Sequence, residues 1–408
     1  MVCEEPRRDK DVRPWTMDGT TVEVVENNDH LGLVVSGERE VEKNVDLRLK
    51  KGRGSLYSLL GPAFAQKNLL SPAAKIHIFK IFSSPVLRCG LATMTLRTTQ
   101  IDPITRFHRK SLRSFLSLSD RCPVSSLHFL TGELTMEAYI HLDIFSLFYS
   151  IWYNRETKAH QIVKYLLENS PDNSRTWSIH VRHLARQYGL PDPLDLLNSD
   201  PMSKSAFKEM VKTKITAYHE KELRERAINN SKMTYFNVSS TGLTGRHHPA
   251  IAGAVTTHQV KKLRPAIKFL IGDYLTYQLR SQQTGGGGHC RLCPGQIDQD
   301  ISHIVSSCTA TSEIRERITQ EIFFKCQSAM TMLDIDKIRR DPQLLTQLIL
   351  DCTSLNLENG CRIHINDPIV PEIFKLTRDL CHAVHSQRLK LLKKMESDDP
   401  LKKHKNGP

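Results

Sequence analysis

The sequence predicts a mainly α-helical protein with a short β-hairpin at its front and a compact cysteine–histidine lobe in its C-terminal third. Three observations predict it. Apolar residues recur at helical spacing in several separate stretches, whereas only the first forty residues are rich in Val, Thr and Gly in the manner of strands. Three of the ten cysteines crowd, with a histidine among them, into the nineteen positions from Cys290 to Cys308. The 408 residues amount to about two to three domains at ~100–200 residues each. With 39% apolar and 25% charged residues, a core can form.

Taken in order, Thr20–Val25, a turn at Asn27-Asn28-Asp29, and Leu31–Val35 read as a hairpin. After Gly37 the pattern becomes helical, with Val41, Val45 and Leu49 four apart. Ser71-Pro72 places a capping hydroxyl and a first-turn proline ahead of a helix over Ala73–Phe82. Ile140, Ile144, Leu147, Phe148 and Ile151 share one helix face. Trp177, Val181, Leu184 and Tyr188 share another, ending at Gly189. Phe207, Val211, Ile215 and Tyr218 repeat the pattern, as do Ile373, Leu376, Leu380 and Val384. Asp-Pro occurs at Asp102, Asp192, Asp200, Asp341, Asp367 and Asp399, and most of these pairs are expected to begin helices. Gly285–Gly288 reads as a hinge, Glu168–Arg175 as a softer boundary, and Glu396–Pro408 as a disordered tail. No repeat period is found.

Lysine and arginine number 57 against 44 acidic residues, a net charge of +13 and a pI near 9.2. That excess favours a polyanionic partner, RNA or DNA. Mean hydropathy is −0.37, and no run approaches the ~20 apolar residues of a membrane span. The best stretch, Ile144–Trp152, is short and follows Asp143. The first residues lack a secretory segment, so the expectation is a soluble intracellular protein, nuclear or cytoplasmic, without a membrane partner. Ten cysteines are too sparse for a disulfide scaffold.

The clustered cysteines read Cys290-x2-Cys293-x9-His303-x4-Cys308. Two thiolates separated by two residues can share a metal because the chain turns back between them, and Pro294-Gly295 favours that turn. His303 and Cys308 would start and finish a helical turn, completing three sulfurs and one nitrogen. Such soft, closed ligation favours a structural Zn²⁺ with no position left for a catalytic water. His289 competes with His303 but lacks loop slack next to Cys290. A deaminase-like catalytic zinc would need a His-x-Glu partner, and none accompanies His303. Leu292 and Ile304 are the expected packing partners of the lobe.

Arg106, Arg109, Lys110 and Arg113 fall within about 100° of arc on a helix, with Ile104, Phe107, Leu112 and Phe115 opposite. A helix of this kind docks by its apolar face and presents cations to phosphates. The competing reading is a solvated charged face. The run Arg388, Lys390, Lys393, Lys394, Lys402, Lys403, Lys405 reads as an ordinary solvated tail, and Gly245–Pro249, with His247 and His248, as a structural turn.

In their order, these features resemble the C-terminal part of a non-long-terminal-repeat (LINE-type) retrotransposon reverse transcriptase. His30-Leu31-Gly32-Leu33-Val34-Val35 is similar to the family's hairpin after the palm, the stretch from Val41 to its thumb, Phe107–Arg113 to its basic helix, and the Cys-Cys-His-Cys set to its C-terminal zinc module. The resemblance implies a hairpin over 1–38, a thumb-like helical region over 39–167, a helical linker over 168–284, a zinc knuckle over 285–312, C-terminal helices over 313–395 and a basic tail over 396–408. It also implies binding to RNA or DNA through Arg106, Arg109, Lys110 and Arg113. The family's polymerase chemistry needs paired palm aspartates around two metal ions. This chain has a single Asp-Asp pair, Asp398-Asp399, in its polar tail. No catalytic residue, small-molecule substrate or activity of the chain alone is therefore expected. The leading expectation is a nucleic-acid-binding fragment. Its alternatives are one part of an active polymerase with its palm encoded upstream, and a helical interaction protein stapled by zinc.

Overall fold

The computed structural model describes residues 16–21, 25–65, 70–274, 288–294, 297–355, 357 and 362–397, with backbone alone at 62–65 and 396. The protein is mainly helical with two small hairpins at its front, as expected. It forms two compact units: Met1–Pro62, His77–Arg109 and Leu134–Lys221 make the first; Ala63–Ile76, Lys110–Glu133 and Glu222–Pro408 the second. The polar stretch 168–175 joins two helices inside the first unit.

Strands β1 (Thr16–Met17) and β2 (Thr20–Thr21) pair antiparallel, as do β3 (Asn27–His30) and β4 (Leu33–Ser36). The second hairpin turns at Leu31-Gly32, so Asn27–Asp29 is strand rather than the turn that its composition suggested. A two-residue hairpin needs positive φ at both central residues. Gly32 (φ 80°) supplies one and Leu31 (φ 50°) the other, its side chain standing in solvent. The hairpin is tied to α1 (Glu40–Ala65) because the Asn44 amide mimics a neighbouring strand. It accepts from the Val34 N–H at 2.9 Å and donates to the Val34 carbonyl at 2.7 Å.

Ser71 caps α2 (Pro72–Ile78) as expected, accepting from the Ala74 N–H. The helix does not stop at Phe82. It widens into a π-turn over Phe79–Ser83 and continues as α3 (Ser84–Arg88), whose Pro85 has no N–H to offer an ordinary ladder. Next come α4 (Thr98–Leu116), α5 (Val124–Thr131), α6 (Met136–Tyr153), α7 (Lys158–Asn169), α8 (Trp177–Tyr188), α9 (Pro193–Asn198) and α10 (Lys204–Ile228). The apolar faces read from spacing are largely the ones buried, with Tyr218 of α10 the exposed exception at 42%. Ile140, Ile144, Phe148 and Trp152 of α6 lie in the core with Val181 and Leu184 of α8 and Phe207, Val211 and Ile215 of α10. Tyr149 and Trp152 hold their rings 5.2 and 5.8 Å from that of Phe207.

The second unit ends with α11 (Pro249–Ala252), α12 (Thr257–Leu270), α13 (Ser312–Cys326), α14 (Met332–Arg340), α15 (Pro342–Leu350) and α16 (Ile369–Ser397). Helix α16 is its spine: Ile373, Phe374, Leu380 and Val384 are buried, and both α12 and α13 pack along it. Asp192 and Asp341 cap α9 and α15 as their Asp-Pro pairs predicted. Asp102 does not begin a helix. Pro103 lies inside α4, which starts earlier where the Gln100 side chain accepts from the Arg97 N–H. Pro201 stands in coil ahead of α10, and Asp399 and the tail beyond Ser397 fall outside the described residues. Among the described residues no helix is long and apolar enough to cross a membrane.

Candidate metal centre

The four sequence-selected ligands meet. The donor atoms of Cys290, Cys293, His303 and Cys308 all lie within 4.8 Å of one another, and all four residues are buried. Cys293 Sγ stands 3.5 Å from both Cys308 Sγ and His303 Nε2. A tetrahedral ion with Zn–S bonds of ~2.3 Å has S···S edges of ~3.8 Å, so the cage is of metal size. The cysteines are free thiols rather than a disulfide.

Local chemistry explains the convergence. The Cys290 N–H donates to the Ile297 carbonyl, and the Gln299 N–H to Gly288, pairing the chain before Cys290 with the chain after Pro294. His289 sits in that pairing with Nδ1 3.1 Å from the Asp298 carboxylate, and the metal-sized group does not include it. Asp300 accepts from the His303 N–H and starts a turn that winds as a π-helix over His303–Ser307. On an α-helix, residues five apart stand ~140° apart. The wider i→i+5 closure, Cys308 N–H to His303 C=O at 2.7 Å, brings His303 and Cys308 to one side. The spacing alone could name both ligands but not the π-winding that joins them.

Burial and donors set the thiols apart. Burial pushes Cys308 up to about 11, and the hydrogen bond with Cys293 and the Cys290 charge add to the rise. Cys293 falls to about 7: burial opposes this, but the hydroxyl and N–H of Thr309 and the neighbouring thiols outweigh it. Cys290 is also lowered, donors from Leu292, Gln299, His303 and Arg388 overcoming its burial. A cation that takes all three as thiolates gains from a cage already primed at two of them. With four protein donors the set is closed, the arrangement of a structural site.

The lobe packs against the helices that follow it, while Gly285–Gly287 of the expected hinge lie outside the described residues. Leu292 packs against the three cysteines, and Ile304 is fully buried. Ser302 Oγ lies 3.1 Å from Thr346 Oγ1 of α15, and the His303–Ser307 turn also touches α13 and α16. Arg315 of α13 donates to the Cys308 carbonyl at 2.8 Å. Arg388 of α16, expected in a solvated basic run, is instead buried, with Nη1 3.6 Å from Cys308 Sγ and 4.0 Å from Cys290 Sγ.

The cationic stripe of α4 has the predicted polarity: Ile104, Phe107, Leu112 and Phe115 are buried. Its four cations are not equally available. Arg106 and Lys110 are exposed, Arg106 with an ion pair to Asp102 at 2.7 Å. Arg109 is half-buried, and half-buried Arg113 donates to the Cys122 carbonyl at 3.3 Å.

The Gly245–Pro249 segment is the structural turn its composition suggested. Gly245 and His248 donate their N–H groups to the carbonyls of Gly132 and Leu130, and His247 Nδ1 donates to Thr131. His248 caps α11 while fully buried, and burial lowers its pKa against the pull of Asp351. Gly132 (φ 68°) is the close approach that makes this possible: a Cβ there would lie 2.2 Å from the Arg246 carbonyl oxygen. Gly132→Ala combines left-handed strain with a backbone clash and should cost roughly 2–4 kcal/mol. Urea unfolding followed by far-ultraviolet dichroism measures it, and a loss below ~1 kcal/mol would contradict the packing of this corner.

No family model, curated protein or solved structure matches this chain. Its function is therefore read from the site.

Proposed function

We propose that the protein binds nucleic acid as a zinc-stabilised helical module of the kind found C-terminally in LINE-type reverse transcriptases. The carrying observation is the buried, closed Cys290–Cys293–His303–Cys308 cage, packed against α16 with its exposed Lys390, Lys393 and Lys394, in a chain of net charge +13. Three thiolates and one imidazole in tetrahedral reach favour Zn²⁺ over harder divalent ions. The metal's role is architectural: it cross-links a lobe too small to fold alone, while exposed cations do the binding. The reading assigns no catalytic step to the chain.

The α4 stripe supplies a testable share of that binding. With Arg113 engaged by a backbone carbonyl and Arg109 half-buried, Lys110 and Arg106 carry most of the phosphate contact. Changing Arg106, Arg109, Lys110 and Arg113 together to Ala should weaken binding to a labelled single-stranded RNA and to duplex DNA. The slope of log K against log salt should flatten by about two charges. Fluorescence anisotropy over a salt series reads this. An unchanged slope returns α4 to a solvated face, and no salt-sensitive binding by the unaltered chain sinks the nucleic-acid reading. The internal engagement of Arg113 and the Arg106 ion pair favour one competitor, a helical protein-interaction module with a structural zinc.

A further inference from the structure

Arg388 is 2% exposed, and among the described residues no carboxylate lies within ion-pair distance of it. A buried guanidinium without an anion is costly and rarely tolerated. The groups it faces are sulfurs, Cys308 Sγ at 3.6 Å and Cys290 Sγ at 4.0 Å, and its Nε has no hydrogen-bond partner among the described residues. Three thiolates, a neutral imidazole and a divalent cation sum to one negative charge in a buried cage. The Arg388 guanidinium, set against two of the sulfurs, offsets it directly, whereas Arg315 is turned to the Cys308 carbonyl. The fourteen-residue interval from Phe374, deep in the core, to Arg388 is continuous helix, so the position of Arg388 is the position of the distal half of α16.

We propose that Arg388 is the charge-balancing and positioning residue of the metal cage, so that metal binding and the docking of the distal half of α16 are one event. This rests on the metal reading above and extends it from a local staple to a control over the C-terminal helix. With the metal bound, the thiolates give Arg388 its anion, and α16 is held against the His303–Ser307 and Thr309–Thr311 turns. Without the metal the sulfurs are no longer drawn together as one anionic cluster beside the buried guanidinium, and the helix end separates. Lys390, Lys393 and Lys394, exposed just beyond Arg388, are presented in one fixed direction only in the metal-bound state.

Co²⁺ is the probe, since thiolate ligation gives it charge-transfer and tetrahedral d–d absorption. The full chain should take one equivalent with that spectrum. Arg388→Met keeps the volume and removes the charge, and it should weaken Co²⁺ and Zn²⁺ binding by about 10–100-fold. Arg388→Lys should recover part of the loss. A charge cycle separates electrostatics from packing. Cys290→His makes the metal-bound cage neutral, so it should be costly beside Arg388 and markedly less costly in the Arg388→Met background. Hydrogen exchange of residues 385–397 should rise when metal is chelated from the unaltered chain, and it should respond less in Arg388→Met. Unchanged metal affinity in both Arg388 variants, or strict additivity in the cycle, overturns the proposal while leaving the metal site standing. A chain that never shows the thiolate–Co²⁺ spectrum overturns the metal reading itself, and this proposal with it.

Discussion

Replacing Cys308 by Ser, or chelating the metal, is expected to empty the cage and loosen much of the second unit rather than the lobe alone. Cys308 is fully buried, and its carbonyl also receives Arg315 of α13. Structural zinc contributes roughly 10–16 kcal/mol of apparent binding energy in small metal-dependent folds. That is comparable with the ~5–15 kcal/mol by which a whole domain is stable. Because the lobe contacts α13, α15 and α16, its loss removes a support shared by all three. Elemental analysis after exhaustive dialysis should find one zinc in the unaltered chain and none in Cys308→Ser. His303→Ala should lose most of it, whereas His289→Ala, whose ring faces Asp298, should keep it. Hydrogen exchange should show lost protection in α13 and α16 with α6 and α8 unchanged. Less than half an equivalent of zinc in the unaltered chain, or loss with His289→Ala alone, means that the ligands were misassigned. Loss of metal with α16 protection intact means that the lobe is only a local staple.

The Cys290–Cys293–His303–Cys308 cluster and the main helices were legible in the sequence because both are local signals. The stretch from Trp177 to Tyr188 begins and ends where its apolar period and Gly189 (φ 62°) place it. What escaped depends on partners and windings that only the folded chain supplies. Arg388 looks like one more cation in a basic run, and only its docking against Cys308, 80 positions away, makes it a buried charge. Arg113 likewise reads as a free stripe member until the Cys122 carbonyl is beside it. The Leu31-Gly32 turn was hidden by the three polar residues at Asn27–Asp29, which outweigh a leucine in any turn preference. Windings such as the π-turn at His303 have no sequence signature at all, since they follow from what the ladder must accommodate.

Acid should destabilise the first unit through His141, independently of the metal. His141 Nδ1 lies 2.6 Å from the Tyr188 hydroxyl, which lies 3.1 Å from His219 Nε2, and His219 Nδ1 is 3.5 Å from Thr135 Oγ1. One assignment satisfies the chain with neutral rings: Thr135 donates to His219, His219 to Tyr188, and Tyr188 to His141. A proton on His141 Nδ1 would break it. Burial, then the neighbouring charges of His219 and His180, push His141 down to about 3. Burial also lowers His180, with His183 adding to it. The folded value therefore lies below the unfolded one near 6.5. Between those values the unfolded chain binds the extra proton, so stability is complete above about pH 6.5 and falls as pH drops toward 3. At pH 4.5 the loss through His141 alone is on the order of 2–3 kcal/mol. Trp152 and Trp177 both lie in the first unit, so urea midpoints read by tryptophan fluorescence report it apart from the metal lobe. His141→Gln keeps an acceptor for Tyr188 but cannot take the proton. It should leave stability at pH 7.5 within about 1 kcal/mol of the unaltered chain and remove most of the fall between pH 7.5 and 4.5. If His141→Gln loses as much on acidification as the unaltered chain, the acid sensitivity lies elsewhere and the neutral Thr135–His219–Tyr188–His141 chain is not its source.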